Sequence, residues 1–367
     1  MAKKNKAGQL SSKSWAFLKS YIDNPSPTGF ESKGQKLWLD YIKPFVDEFE
    51  VDPYGTVVAV INPGKPFRVV LEAHADEISW FVKYIAPDGL IYVCRNGGSD
   101  HQIAPSKRVL IHTRKGPVKA VFGWPAIHTR NRNPEGKEPQ PKLENLALDC
   151  GARSKKEVED LGIHVGCVVT FQEGYEELAH GYLIGRAFDN RVGGFMIAEV
   201  ARLLKENKNE LPYTLYIVNA VQEEVGLRGA EMISRRIRPQ AAIVTDVTHD
   251  STTPMVSKIL EGEVACGKGP VLTYGPAVHN LLIEQLRDIA QKHKIPYQLE
   301  AVSRSTGTDT DAFAYSNDGT PSVLVSLPLR YMHTTVEMIH KDDVEQTIKL
   351  MYHAVLEFHP KMKLRYF

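Results

Sequence analysis

The stretch "NRVGGFMIAEVARLLKENKNELPYTLYIVNAVQEEVGLRGAEMISRRIRPQAAIVT" (Asn190–Thr245) alternates between two hydrophobic patterns. At its start Val192, Met196, Val200 and Leu203 recur every three or four positions, the stripe of a helix packed on a core. "YTLYIVNAV" (Tyr213–Val221) follows as an apolar-rich run short enough for a buried strand. "GAEMISRRI" then reads as a helix and "AAIVT" as a strand. Alternation of this kind predicts an α/β fold, a largely parallel sheet with helices on both faces.

The same grammar extends in both directions. Towards the N-terminus, "SKSWAFLKSYIDN" and "SKGQKLWLDYIKPFV" have helical spacing, and "GTVVAVI" and "FRVVLEA" read as strands around the turn "NPGKP". Towards the C-terminus come a helix "HNLLIEQLRDIAQKH", strands "YQLEAV" and "SVLVSLPL", and a closing helix "VEQTIKLMYHAVLEF". Between Glu77 and Gly181 the character changes. "SWFVKYI", "GLIYVCR", "KRVLIHT", "PVKAVFGW" and "GCVVTF" are short strand-like segments separated by turn residues. We therefore expect a discontinuous α/β domain (residues 1–76 and 182–367) carrying an inserted small β-rich domain (77–181), whose strand edges would need covering.

Composition narrows the function. Lys plus Arg (45) and Asp plus Glu (44) nearly cancel, which gives no electrostatic case for nucleic acid or an anionic membrane. The polar loop "HTRNRNPEGKEPQPK" interleaves Glu135 and Glu138 with its basic residues and contains no aromatic, so it reads as a solvated loop. No apolar run approaches the roughly 20 residues of a membrane helix. "MAKKNKAGQLSSKS" has no apolar core after its charged start, unlike a signal peptide. Cys94, Cys150, Cys167 and Cys266 are widely spaced, as in a protein of a reducing compartment. The expected location is cytoplasmic.

Open α/β sheets bind ligands beyond the carboxyl ends of their strands. Candidate groups gather there: His74 and Asp76 after "FRVVLEA", adjacent Glu223 and Glu224 after "YTLYIVNAV", Asp246 after "AAIVT" and His333 after "SVLVSLPL". Asp189 precedes the helix of the opening stretch. Singly, each has a plain structural role: Asp189 could cap a helix, and a Glu-Glu pair could lie on a solvated loop. Together on one rim the carboxylates would repel one another unless divalent cations neutralise them. Imidazole with carboxylates suits zinc, cobalt or manganese better than calcium or magnesium. His74 and Asp76 share a face of an extended chain, so Asp76 can accept from the ring nitrogen that does not bind metal. Adjacent Glu223 and Glu224 point to different sides, leaving one as a ligand and the other as a general base.

These residues lie in motifs that resemble those of the M42 metallo-aminopeptidases: "HADEISWFV", "GRAFDNRVGG", "VQEEVGLRGA", "VTDVTHD", "GKGPVL", "GTDTDAF" and "RYMHTTVE". "VLIHTRKG" and "LDCGARSKKEVEDLGIHVG" extend the likeness into the insert. The resemblance implies two divalent ions per chain, zinc or cobalt first and then manganese. In it Asp189 bridges the two, His74 and Asp246 complete one, and Glu224 and His333 complete the other. It makes Glu223 the base and Asp76 the support of His74, and it implies a cis peptide between Asp189 and Asn190. It also implies a dimerisation role for the insert, peptide substrates cut at their N-terminal bond, and a homo-oligomer, either dimeric or a dodecamer built from dimers. Ser79, "STTPM" and "TGTDTDAF" depart from the usual family residues beside the site. An N-acyl-amino-acid deacylase with the same metals is the alternative, and a glycosidase is more distant, since glycosidases seldom need metal-ligating histidines. No G-x-S-x-G elbow or H-E-x-x-H helix is present.

Overall fold

A computed structural model describes residues 10–130 and 139–367. The N-terminal stretch up to residue 9 and the middle of the 128–142 loop lie outside these described residues. Contacts divide the chain into two units. One comprises the chain to Glu77, Gly174–Met332 and Val336–Phe367, and the other Ile78–Glu173 with His333–Thr335.

The first unit opens with α1 (Ser12–Asp23), α2 (Ser32–Ile42), β1 (Glu48–Val51), β2 (Val57–Ile61) and β3 (Arg68–His74). It resumes with β10 (Glu176–Glu177), β11 (Tyr182–Gly185), α5 (Phe188–Glu206), β12 (Thr214–Ala220), α6 (Arg228–Ile237) and β13 (Ala241–His249). There follow α7 (Lys258–Glu261), β14 (Val271–Tyr274), α8 (Asn280–Lys292), β15 (Gln298–Ala301), α9 (Asp309–Ala314), β16 (Ser322–Leu329), β17 (Glu337–His340) and α10 (Lys341–Glu357). Eight strands form one sheet in the order β1-β2-β12-β3-β13-β16-β14-β15. Its centre, β12-β3-β13-β16, is parallel. Antiparallel pairs flank it at β1-β2, β2-β12 and β14-β16.

The helix that opens the sequence argument is more deeply placed than its stripe implies. Every residue of α5 from Phe188 to Leu204 is buried, because the helix packs on β3 and β13 and is covered by α1, α2 and α10. An apolar surface all round a helix requires such cover. Its interior charges are paired: Arg202 bonds Glu199 at 2.7 Å and Glu206 at 2.6 Å, and the Tyr41 hydroxyl also donates to Glu199. Gly194 allows close approach, since a Cβ there would lie 2.7 Å from Asn219 Oδ1, while its carbonyl accepts from Trp38 Nε1 at 2.6 Å.

Sheet register sets the level of the acidic residues. Ala220 pairs with His74, and Glu72 pairs with Val244, so His74 and Asp246 each lie two residues beyond a matched pair on adjacent parallel strands. Residues paired in this way face the same side of the sheet.

The second unit holds β4 (Ser79–Ile85), β5 (Ile91–Asn96), β6 (Arg108–Thr113), β7 (Gly116–Phe122), α3 (Ile127–Arg130), β8 (Ala147–Asp149), α4 (Lys155–Asp160) and β9 (Val168–Phe171). Here the expected exposed strand edges do not form: β4-β5-β8-β7-β6-β9 close into a barrel, which removes edges altogether. Alternation explains the closure. Val82, Ile91, Val109, Ile111, Phe122 and Val169 turn inward around Trp80, whose ring meets Phe122 and Phe171 edge-on.

Candidate active site

Six of the seven residues singled out in the sequence converge in the first unit. His74 Nε2 lies 3.2 Å from Asp189 Oδ1 and 3.8 Å from both Glu223 Oε2 and Asp246 Oδ1. On the other side of the ring, His74 Nδ1 is 3.3 Å from Asp76 Oδ1. Two groups of donor atoms lie within 4.8 Å of one another: His74, Glu223 and Asp246, and His74, Asp189 and Glu224. His333 is in neither group. It has a left-handed backbone (φ 60°) and packs in the second unit, where a Cβ on Gly98 would meet its Nδ1 at 2.6 Å.

Local structure explains how each group is held. Asp189 is not an N-cap: Ala187 occupies that position, and Asp189 itself is extended (ψ 111°) within the first turn of α5. The Asp189–Asn190 peptide is cis. Asn190 Nδ2 donates to the carbonyl of Thr245 at 2.8 Å, which ties this turn to β13 directly beside Asp246. The Asp189 amide donates to Glu337 Oε2 at 3.1 Å. After β12, Gln222 turns left-handed (φ 60°) and starts the short turn Glu223–Val225. Asp76 holds that turn by accepting from the amides of Glu223 (3.0 Å) and Glu224 (3.2 Å). Besides facing His74, Asp76 is thus the clasp of the Glu-Glu pair.

Burial dominates the electrostatics. It pushes Glu223 up to about 10, with Asp309, Asp246 and Glu224 adding to the rise and His74 opposing it. Asp246 is raised well above a normal carboxyl by burial and by Asp189 and Asp309, against the pull of His74. For His74, burial disfavours the charged ring, but Glu223, Asp189, Asp76 and Asp246 outweigh it and raise the imidazole well above its usual value. A cluster in which several buried carboxyls resist ionisation lacks positive charge. Donors at these separations can be spanned by one ion at bonds of about 2.0–2.2 Å. The residues present therefore fit divalent metal.

Sequence reasoning missed three acids. Glu72 lies two residues before His74 on the buried face of β3, and burial pushes it up to about 8. Asp309, at the start of α9, is raised by burial and by neighbouring Glu72. Glu31 is also held near 8, by burial and by Asp76. A Glu inside the apolar run "FRVVLEA" was the available signal; for Glu31 and Asp309 no spacing rule pointed to the site. These groups set a pH dependence in the metal-free protein. Each keeps its proton above pH 4.5, where the unfolded chain loses it, so stability falls as pH rises towards the folded values. The raised His74 acts in the same direction. The thermal midpoint of metal-free protein should drop between about pH 5 and pH 8, and added zinc should flatten the drop, because a cation replaces the protons. Scanning calorimetry showing a midpoint that rises over this range would refute the assignment.

Comparison with known proteins identifies the class. The chain is 32% identical to the lysyl aminopeptidase of Pyrococcus furiosus over 94% of its own length and 98% of that protein. The TET aminopeptidase of a marine sediment archaeon of the Thaumarchaeota superposes with a TM-score of 0.89 at 29% identity, covering 95% of this chain and 97% of that one. The Pyrococcus horikoshii TET1 peptidase, which can assemble into a tetrahedron or a large octahedral shell, gives 0.83 at 27% identity, covering 94% and 100%. Fold and relatives define an aminopeptidase, a hydrolase of peptide bonds. Residues 55–350 match the M42 glutamyl aminopeptidase family, and the chain belongs to that family.

Proposed function

We propose that this aminopeptidase works with two divalent metals, zinc or cobalt before manganese, and with Glu223 as general base. The observation that carries the reading is the buried meeting of His74 with Asp189, Glu223, Glu224 and Asp246, in which Glu223 and Asp246 are held above normal carboxyl values. In this reading Asp189 would be shared by the two ions, His74 and Asp246 would hold one, and Glu224 and His333 would hold the other. Such ions lower the pKa of a bound water and polarise the scissile carbonyl. With the ions bound, Glu223 would be the group to accept the water's proton and return it to the departing amine. Asp76 keeps the His74 ring oriented and both amides of the Glu turn engaged. Four unpaired cysteines suit a cytoplasmic location, and no described helix is long and apolar enough to cross a membrane.

The test is release of amino acids from aminoacyl chromogenic substrates by metal-free enzyme supplied separately with zinc, cobalt and manganese. Activity restored by one of these ions on free amino-terminal substrates, and absent on N-acylated ones, is expected. Preference for acylated substrates would favour the deacylase.

The barrel unit is proposed to carry dimer contacts within a larger homo-oligomer. Tyr84 (54% exposed) and Val165 (59%) are large apolar side chains left in water on this unit, a feature of surfaces that bind partners. Tyr84→Asp with Val165→Asp should lower the assembled mass in light scattering while circular dichroism stays unchanged. A mass equal to that of the unaltered chain would remove this surface from the interface.

A further inference from the structure

The base and its ligand neighbour are held from a distant part of the chain. Asp76 receives, besides the two turn amides, a hydrogen bond from the Thr28 hydroxyl to its Oδ2 at 2.9 Å. Thr28 is itself fixed: its amide donates to the Glu77 carbonyl at 3.1 Å, and the Glu77 amide donates back to Ser26 at 3.0 Å. The carboxylate of Glu77 accepts from the Ser26 amide at 2.6 Å and is paired with buried Arg186. Three residues beyond Thr28, Glu31 accepts from the Gly29 amide at 2.7 Å, and its carboxylate lies beside the backbone of Gln222, the residue before Glu223. Behind it, Gln35 of α2 donates to the Asn219 carbonyl at 2.6 Å and accepts from Asn219 Nδ2 at 2.7 Å. The segment Ser26–Gln35 therefore grips the catalytic turn at its entry, Asn219 and Gln222, and at its clasp, Asp76.

We propose that Thr28 and Glu31 are positioning residues for proton transfer. Thr28 sets the orientation of Asp76, Glu31 sets the backbone of Gln222, and the two together hold the Glu223 carboxylate in line with the reacting water. The inference rests on Glu223 being the base. Thr28 fits the task because its hydroxyl reaches the carboxylate while its methyl lies in a site only 2% exposed. Valine has the same shape without the donor, so Thr28→Val leaves Asp76 Oδ2 held by the Glu224 amide alone and loosens the orientation of the carboxylate.

Misplacing a catalytic group by about 1 Å costs up to roughly 10²-fold in rate, so Thr28→Val should lower kcat by about 10- to 100-fold. KM and bound metal, measured by elemental analysis, should stay as in the parent. Thr28→Ser, which restores the hydroxyl, should recover most of the rate. Glu31→Gln, which keeps an acceptor, should lose less than Glu31→Leu. The decisive measurement is a double-mutant cycle. If Thr28 acts through Glu223, Thr28→Val should cost almost nothing further in a Glu223→Gln background. A full additional loss there, loss of metal from Thr28→Val, or equal rates in the Val and Ser variants would overturn the proposal. Should Thr28→Val fail to fold, Thr28→Ala against Thr28→Ser provides the same comparison. Undiminished turnover in Glu223→Gln alone would instead overturn the base assignment, whatever Thr28 does.

Discussion

Glu223→Gln should keep its metal and lose its turnover. The substitution preserves size and hydrogen-bonding atoms but not the proton affinity that burial and the surrounding carboxylates build into this side chain. General-base removal costs about 10²–10⁴-fold or more in rate. Substrate and product-like inhibitors should still bind, because neither ligand group depends on Glu223 under the proposed assignment. Glu224→Gln should fail differently. It replaces an anionic ligand with a neutral one, so metal should leave first and excess metal should restore part of the rate. The contrast is sharp because Asp76 holds both amides at 3.0 and 3.2 Å, so neither change should release the turn. The opposite pattern, with metal lost from Glu223→Gln and kept by an inactive Glu224→Gln, would mean that the two roles are exchanged. The geometry leaves room for that outcome, since Glu223 stands with His74 and Asp246, and Glu224 with His74 and Asp189.

Asp189→Ala is expected to empty both metal positions. A bridging carboxylate is the only group in the proposed set shared by the two ions, and its removal also leaves His74 without its 3.2 Å neighbour. Affinity should fall by more than the roughly 10–100-fold seen when only a supporting partner of a ligand is lost. His74→Ala should weaken mainly one position, and His333→Ala mainly the other. Elemental analysis after exhaustive desalting reads the result as near zero equivalents for Asp189→Ala and near one for each histidine variant. A fully active parent enzyme holding at most one equivalent would count decisively against the two-metal reading. Two equivalents retained by His333→Ala would strike out the only proposed ligand that packs with the barrel unit.

Two of these residues were visible because their positions obey periodic rules. His74 and Asp76 lie two apart at the end of a strand, and the period of an extended chain puts them on one face. The adjacent Glu223 and Glu224 end an apolar run that had to be a strand in a parallel sheet, where ligands gather beyond the carboxyl ends. Asp189 was legible as a residue at a helix start, and the family resemblance implied the cis peptide that follows it, but its extended ψ and the tie of Asn190 to Thr245, 55 residues away, were not. His333 follows a strand that the pattern located correctly, yet it packs in the second unit against Gly98, a partner far from it in the sequence.

Local chemistry and its spacing thus determined the alternating α/β order, the buried parallel centre and the list of candidate acids, because hydrophobic period and strand ends are properties of neighbouring residues. Tertiary structure alone decided the rest. The barrel closed because strands far apart in sequence, β4 and β9, found each other. Asp76 became the clasp of a turn 147 residues away, and Thr28 the clasp of Asp76, through hydrogen bonds that no periodicity announces. Glu72 and Asp309 were drawn together by the packing of α9 onto the sheet, and only burial beside other acids lifts their proton affinity. Proton affinity depends on desolvation and on charges brought close in space, and neither quantity exists until the chain has folded.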